Sequence, residues 1–304
     1  MVRQPAFLKK GDTVGIVCPA GFMALAKVKS CIDELQNWGY QVKIGKTVGG
    51  TSTNYFSGTD DERLNDLQQL LDDDNVKAIL CARGGYGISR IIDNIDFTKF
   101  LKNPKWIIGF SDVTVLHSNI YRNYKVATLH APMAAAFNDG ESKNEYVQSL
   151  YRALSGEKME YIIPKNELNR IGTTTGILVG GNLTLMANLI GTNSDVDTNG
   201  KILFLEDVGE YLYNIDRMFL QLKRSGKLKN LAGLIIGEFS DSKDTVQPFG
   251  KSVYTIIKDN ILEYKFPVCF GFPVGHTKNN YALKIGGYYE LNIDEVVILK
   301  ELEL

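Results

Sequence analysis

An alternation of two patterns constrains this chain more than any other feature. Between residues 13 and 129, short apolar runs that suit strands are separated by stretches whose apolar residues recur at helical spacing. The runs are 13–17, 42–44, 76–81, 106–110 and 126–129. After the first, Val28, Cys31, Ile32 and Leu35 keep a helical period, and Gly39 stands where a helix stop belongs. Thr59 and Glu62 have capping-box spacing, and Leu64, Leu67, Leu70 and Leu71 follow on one helical face. Strands divided by helices pair in parallel through right-handed crossovers. Residues 1–163 are therefore predicted to form a doubly wound α/β domain with a mostly parallel sheet.

The pattern then changes. Val147, Leu150, Tyr151 and Leu154 mark a helix that stops at Gly156, and the polar stretch 164–175 has the composition of an interdomain connection. Residues 176–304 mix strand runs (177–179, 202–205, 234–236) with a helix over 213–226, whose apolar positions are assigned to packing. Near the end, Gly286-Gly287 separates two alternating runs, 281–285 and 288–291, which is a hairpin signal. This half is predicted to be an α+β domain with antiparallel strands. A chain of 304 residues that is 44% hydrophobic is long enough for one large domain or two ordinary ones.

The balance of charge narrows the partners. A formal net charge of -1 provides no basic field for nucleic acid. No apolar run reaches the length needed to cross a bilayer. The opening MVRQPAFLKKGD lacks the h-region of a secretory signal, so a cytoplasmic protein is expected. Cys18, Cys31, Cys81 and Cys269 are scattered and form no CxxC pair, as expected of reduced thiols in or near the core. Three histidines without ligand spacing argue against zinc, and neither metal nor cofactor is expected.

The chemistry-bearing candidates begin at Gly109-Phe110-Ser111-Asp112. An apolar strand runs into this turn and a helical pattern (Val113, Leu116, Ile120) follows at once, which is the strand–Ser–helix arrangement of a nucleophile elbow. Val113 stands where G-x-S-x-G has its second glycine. A serine at such a junction is more commonly a helix cap, so this stretch alone leaves both roles open. A nucleophilic serine needs a base, and only His117, His130 and His276 are available. His117 lies six residues along the same helix and faces elsewhere. His130 follows a strand. His276 leads, in a loop shaped by Gly271, Pro273 and Gly275.

An acid to orient the base is offered by Glu206, at the end of the apolar run 202–205; the alternative is that Asp207 or Glu210 begins a loop and Glu206 is only solvated. The order Ser111, Glu206, His276 is the order found in α/β hydrolases. The segment Ala82-Arg83-Gly84-Gly85-Tyr86-Gly87 fits neither G-x-G-x-x-G nor a Walker loop. It suits either a plain turn or an oxyanion hole, with the backbone N–H groups of Gly85 and Asp112 as donors. Gly84 and Tyr86 are further candidates for substrate contact. Arg83 either grips a substrate carboxylate or pairs with an acid of the protein itself. Gly180-Gly181-Asn182 marks another strand-to-helix junction, with Asn182 as N-cap.

Taken in order, these pieces resemble the LD-carboxypeptidase family of serine peptidases, which contains muramoyl-tetrapeptide carboxypeptidases and microcin C self-immunity peptidases. The resemblance runs through GDTVGIVCPAG (11–21), ARGGYG (82–87), IIGFSDVT (107–114), LVGGNLTL (178–185), LEDVGEYLYNIDR (205–217) and FPVGH (272–276). It implies that Ser111, Glu206 and His276 form a catalytic triad, in a two-domain and commonly homodimeric enzyme. Its implied substrate is the amide between an L-centre and terminal D-alanine in murein peptides. Alternatives are a peptidase or amidase acting on a peptide–nucleotide antibiotic, or a non-enzymatic protein that binds a small molecule. One departure is CPAG at 18–21, where the family leads us to expect a serine; that turn is not among the triad motifs.

Overall fold

The structure, a computed structural model, describes residues 2–50 and 54–303. The chain runs β1 (Thr13–Val17), α1 (Lys29–Asn37), β2 (Gln41–Ile44), α2 (Asp60–Asp72), β3 (Val76–Cys81), α3 (Thr98–Lys102), β4 (Trp106–Gly109), α4 (Thr114–Tyr124), β5 (Thr128–His130) and α5 (Glu145–Ser155). It continues with β6 (Glu160–Pro164), β7 (Gly172–Asn182), α6 (Leu183–Asn188), β8 (Lys201–Val208), α7 (Leu212–Arg224), β9 (Gly233–Ser240), α8 (Val253–Asn260) and β10 (Val268–Phe270). It closes with β11 (Leu283–Ile285), β12 (Tyr288–Ile293) and β13 (Val296–Leu302). Two compact units result: Met1–Glu157 with Tyr281–Lys284, and Lys158–Asn280 with Ile285–Leu304.

The first unit is the expected α/β domain. Its sheet has the order β11-β5-β4-β3-β1-β2, and β1 to β5 pair in parallel. The order reverses between β1 and β3. In open α/β sheets the crevice outside the strand carboxyl ends at such a switch point is where ligands bind. Local chemistry explains the elements. Thr59 and Glu62 close the expected capping box on α2, by Glu62 N–H to Thr59 Oγ1 at 3.2 Å and Thr59 N–H to Glu62 Oε2 at 2.7 Å. Leu67, Leu70 and Leu71 are buried, and Leu70 packs so tightly on β1 that a Cβ on Gly15 would meet its methyl carbons at 3.0 Å. Asn144 caps α5, and Gly156 ends it at φ 93°. All four cysteines of the chain are buried and unpaired.

The second unit has the sheet order β10-β9-β8-β7-β12-β13-β6. Its β7 to β10 are parallel, and β7, β12, β13 and β6 are antiparallel. Strand β7 therefore joins the two regimes. On α7, Ile215, Met218, Phe219 and Leu222 are buried, as its packing role requires.

Two local expectations are corrected. The segment 164–175 does not connect the units: it joins β6 to β7 inside the second, which already begins at Lys158. Gly286-Gly287 does not close a hairpin. Leu283–Ile285 is an edge strand of the first sheet, whereas β12 hairpins with β13. Instead of forming a hairpin turn, Gly286 and Gly287 bind the backbone of Leu178 on β7, with Gly286 N–H to Leu178 O at 2.8 Å and Leu178 N–H to Gly287 O at 2.8 Å.

Candidate active site

The first unit carries the Ser111 turn. Strand β4 is fully buried and ends at Gly109, which adopts φ 151°. A Cβ there would lie 2.8 Å from Val113 Cγ2, so glycine lets the chain fold back sharply, although Val113 replaces the second glycine of the usual elbow. Ser111 itself sits at φ 62°, the left-handed region that a side chain enters only at a cost of about 1–2 kcal/mol. No side-chain hydrogen bond caps the 3₁₀ turn at Ser111–Val113 or the helix α4 that follows. The helix-cap role is therefore not the one that Ser111 fills. A strained, half-exposed serine at the end of a buried strand is the geometry of a nucleophile elbow. Behind it, His117 is buried and donates from Nε2 to the Gly109 carbonyl at 2.8 Å. Burial pushes its pKa down to about 4, so it stays neutral and supports the turn. His130 is also buried, at 5.6 Å between its ring and that of Phe110.

The glycine loop after β3 packs directly on this turn. A Cβ on Gly84 would stand 2.8 Å from Ser111 Cβ and 3.3 Å from the Asp112 nitrogen. Gly85 takes φ 100°, and a Cβ there would meet the Tyr55 hydroxyl at 2.8 Å. The Gly21 N–H donates to Gly84 O at 3.0 Å, joining the turns after β1 and β3. Arg83 is exposed, and its Nη1 donates to Phe22 O at 2.6 Å. That bond follows neither of the two roles expected of it. Tyr86 is exposed, with its ring 6.0 Å from Phe56. The Asp112 side chain points back into the loop and accepts the Ile88 N–H at 2.8 Å. Burial raises its pKa to about 6, against the lowering influence of that bond and of Arg63.

The second unit brings Glu206 and His276 together. Glu206 is fully buried on β8, which rules out the solvated alternative. The β8–β9 register shifts between Leu205 and Asp207, where Glu206 alone faces two residues of β9, Gly237 and Glu238. His276 Nδ1 lies 2.7 Å from Glu206 Oε2. A carboxylate only accepts, so Nδ1 carries the proton and Nε2 is the basic nitrogen. Burial disfavours the imidazolium, but the Glu206 bond and charge outweigh it and raise the His276 pKa, with Asp207 adding to the effect. Glycines make the approach possible: a Cβ on Gly275, at φ 138°, would lie 3.2 Å from both Glu206 Cβ and Oε2.

One supporting group escaped the sequence reading. Asp207 is buried and accepts from Asn182 Nδ2 at 2.9 Å, Thr184 N–H at 2.9 Å, Thr184 Oγ1 at 2.8 Å and Val208 N–H at 2.8 Å. Asn182 also caps α6, as expected, by accepting from Leu185 N–H at 3.2 Å. The Asn182 cap and the acidic pair at 206–207 were both visible in the sequence. Their connection depends on the β7–β8 register, which aligns Asn182 with Glu206.

A strained serine turn, in one unit, and a carboxylate–histidine pair, in the other, are groups of the kinds that α/β serine hydrolases use. The chain belongs to the LD-carboxypeptidase family: the model of the family's N-terminal domain matches residues 14–131 and that of its C-terminal domain residues 175–291. It is 38% identical over 296 residues to a Bacillus subtilis protein named "Probable murein peptide carboxypeptidase", covering 96% of this chain and 92% of that one. It is 26% identical to the Escherichia coli Microcin C7 self-immunity protein MccF, covering 94% and 92% of the two chains. Among solved structures, the muramoyltetrapeptide carboxypeptidase from Oxalobacter formigenes matches with TM-score 0.86 and 28% identity, over 96% of this chain and 99% of that one.

Proposed function

We propose that this protein is a serine carboxypeptidase that hydrolyses the L,D-amide bond of murein tetrapeptides and releases terminal D-alanine. The observation that best supports a nucleophilic Ser111 is its left-handed backbone at the end of β4, pressed against Gly84 and free of a capping role. The substrate class is supported by the family match and by the murein peptide carboxypeptidase relatives.

In the proposed mechanism Ser111 Oγ attacks the scissile carbonyl while His276 Nε2 takes its proton. Glu206 holds the tautomer and stabilises the imidazolium. The backbone N–H groups of Gly85 and Asp112 bind the oxyanion, where each donor is worth about 10²–10³ in turnover. D-Alanine leaves with the proton from His276, and water then hydrolyses the acyl-enzyme. Arg83, Gly84 and Tyr86 are proposed to border the bound peptide. The same reading places the enzyme in the cytoplasm, as a homodimer, in cell-wall peptide recycling. None of these steps uses a metal, so dialysis against a chelator is expected to leave turnover unchanged.

The MccF match supports a second reading, cleavage of a peptide–nucleotide antibiotic. Incubation with an equimolar mixture of murein tetrapeptide and an aminoacyl sulfamoyl adenylate separates the two. Preferential loss of D-alanine from the tetrapeptide is expected; preferential cleavage of the adenylate would replace the proposed substrate.

A further inference from the structure

We infer that Asp112 and Arg63 form a buried positioning clamp, which holds the Gly84–Gly87 loop against the Ser111 turn and so sets the oxyanion-binding amides. The inference rests on the proposed hydrolase reading.

The clamp joins three strand-end turns of the first unit. Arg63 comes from α2 and is 0% exposed. Its Nη1 donates to Pro19 O at 2.7 Å, after β1, and to Gly87 O at 3.0 Å, after β3. Its Nη2 pairs with Asp60 at the start of α2, and the Phe56 ring covers the guanidinium at 4.9 Å. Asp112 is 1% exposed and comes from the turn after β4. Its Oδ2 accepts the Ile88 N–H at 2.8 Å. The Gly87–Ile88 peptide group is thus held from both sides: Arg63 takes its carbonyl and Asp112 takes its amide. Gly87, at φ 153°, leaves no room for slack, since a Cβ there would lie 2.7 Å from Arg63 Nη1 and 3.1 Å from Ala20 Cα.

Stability alone is a poor reason for this arrangement. Buried charges are costly to desolvate, and well-packed apolar residues in their place are often neutral or stabilising. What apolar residues cannot do is fix a backbone amide to within a few tenths of an ångström. Oxyanion stabilisation requires that, because misplacement by about 1 Å is worth roughly 10² in rate.

The test compares the wild-type protein with Asp112→Asn, Arg63→Lys and Arg63→Met. Asp112→Asn keeps the shape and one acceptor, Arg63→Lys keeps the charge and one bond, and Arg63→Met keeps packing alone. The first readout is the second-order rate constant for fluorophosphonate labelling of Ser111, normalised to the sites labelled at completion. The second is kcat and KM on murein tetrapeptide, and the third is Tm. Labelling and kcat are expected to fall on the order of 10²-fold in Asp112→Asn and Arg63→Met, with KM within about threefold and Arg63→Lys intermediate. Variants that label and turn over within about twofold of wild type per titrated site, whatever their Tm, would overturn the clamp. A wild-type protein that labels at Ser111 but leaves the tetrapeptide intact would overturn the substrate reading, while the labelling rates still judge the clamp. A wild-type protein that does not label at all would overturn both.

Discussion

Gly84 and Ser111 approach so closely that a methyl group on the glycine would lie 2.8 Å from the serine Cβ and 3.0 Å from its Oγ. The serine Cβ is fixed to the backbone and cannot rotate away, so one turn would have to move. Gly84→Ala is therefore expected to cost about 1–3 kcal/mol of stability, as overpacking does, and to lower kcat on the order of 10²-fold. Denaturant unfolding and steady-state kinetics on the same preparation check both.

The left-handed backbone of Ser111 yields a prediction that separates strain from chemistry. Glycine relieves the αL cost and alanine does not. Ser111→Gly should be more stable than Ser111→Ala by about 1 kcal/mol, while both lose activity. Paired thermal melts decide it, and equal stability would contradict the strain.

Much of this site was legible because it is local. The β4–Ser111–α4 junction, the Thr59–Glu62 capping box and the Asn182 cap depend on residues within a few positions of one another. The triad candidates could be ordered along the chain because motif order survives without geometry. Strand partners are the opposite case. Gly286-Gly287 carries a local hairpin signal, yet which sheet takes each flanking strand is decided by distant segments. Arg63 and Asp66 were hidden because charged residues on the buried face of α2 run against the hydrophobic pattern. Asp66 is buried there because the turn after β2 supplies it with donors, Lys46 N–H at 3.0 Å and Thr47 N–H at 2.8 Å.

The Glu206–His276 pair sets a pH dependence. As a base His276 must be neutral, and its pKa lies above the ordinary 6.5 because Glu206 outweighs burial. The acid limb of kcat/KM is therefore expected above pH 6.5, with activity lost as pH falls through it. In Glu206→Gln the charge is gone while burial remains, so the limb moves to lower pH and kcat falls by up to about 10⁴-fold. A pH–rate profile of both proteins reads the shift, and an unmoved limb would contradict the pairing.

Asp207 gathers four donors in a buried position. Asp207→Ala leaves Asn182 and the Thr184 backbone without that acceptor, at about 1–3 kcal/mol for each group left unsatisfied. Urea denaturation should show a loss of at least about 2 kcal/mol, and a value near zero would mean that water replaces the carboxylate.

The central claim is that Ser111 attacks an L,D-amide, and mass spectrometry of a murein tetrapeptide incubated with this protein tests it most directly. The expected result is conversion to the tripeptide with release of D-alanine, slowed at least about 10³-fold in Ser111→Ala. An intact tetrapeptide after incubation with the wild-type protein, or equal turnover by Ser111→Ala, would contradict it.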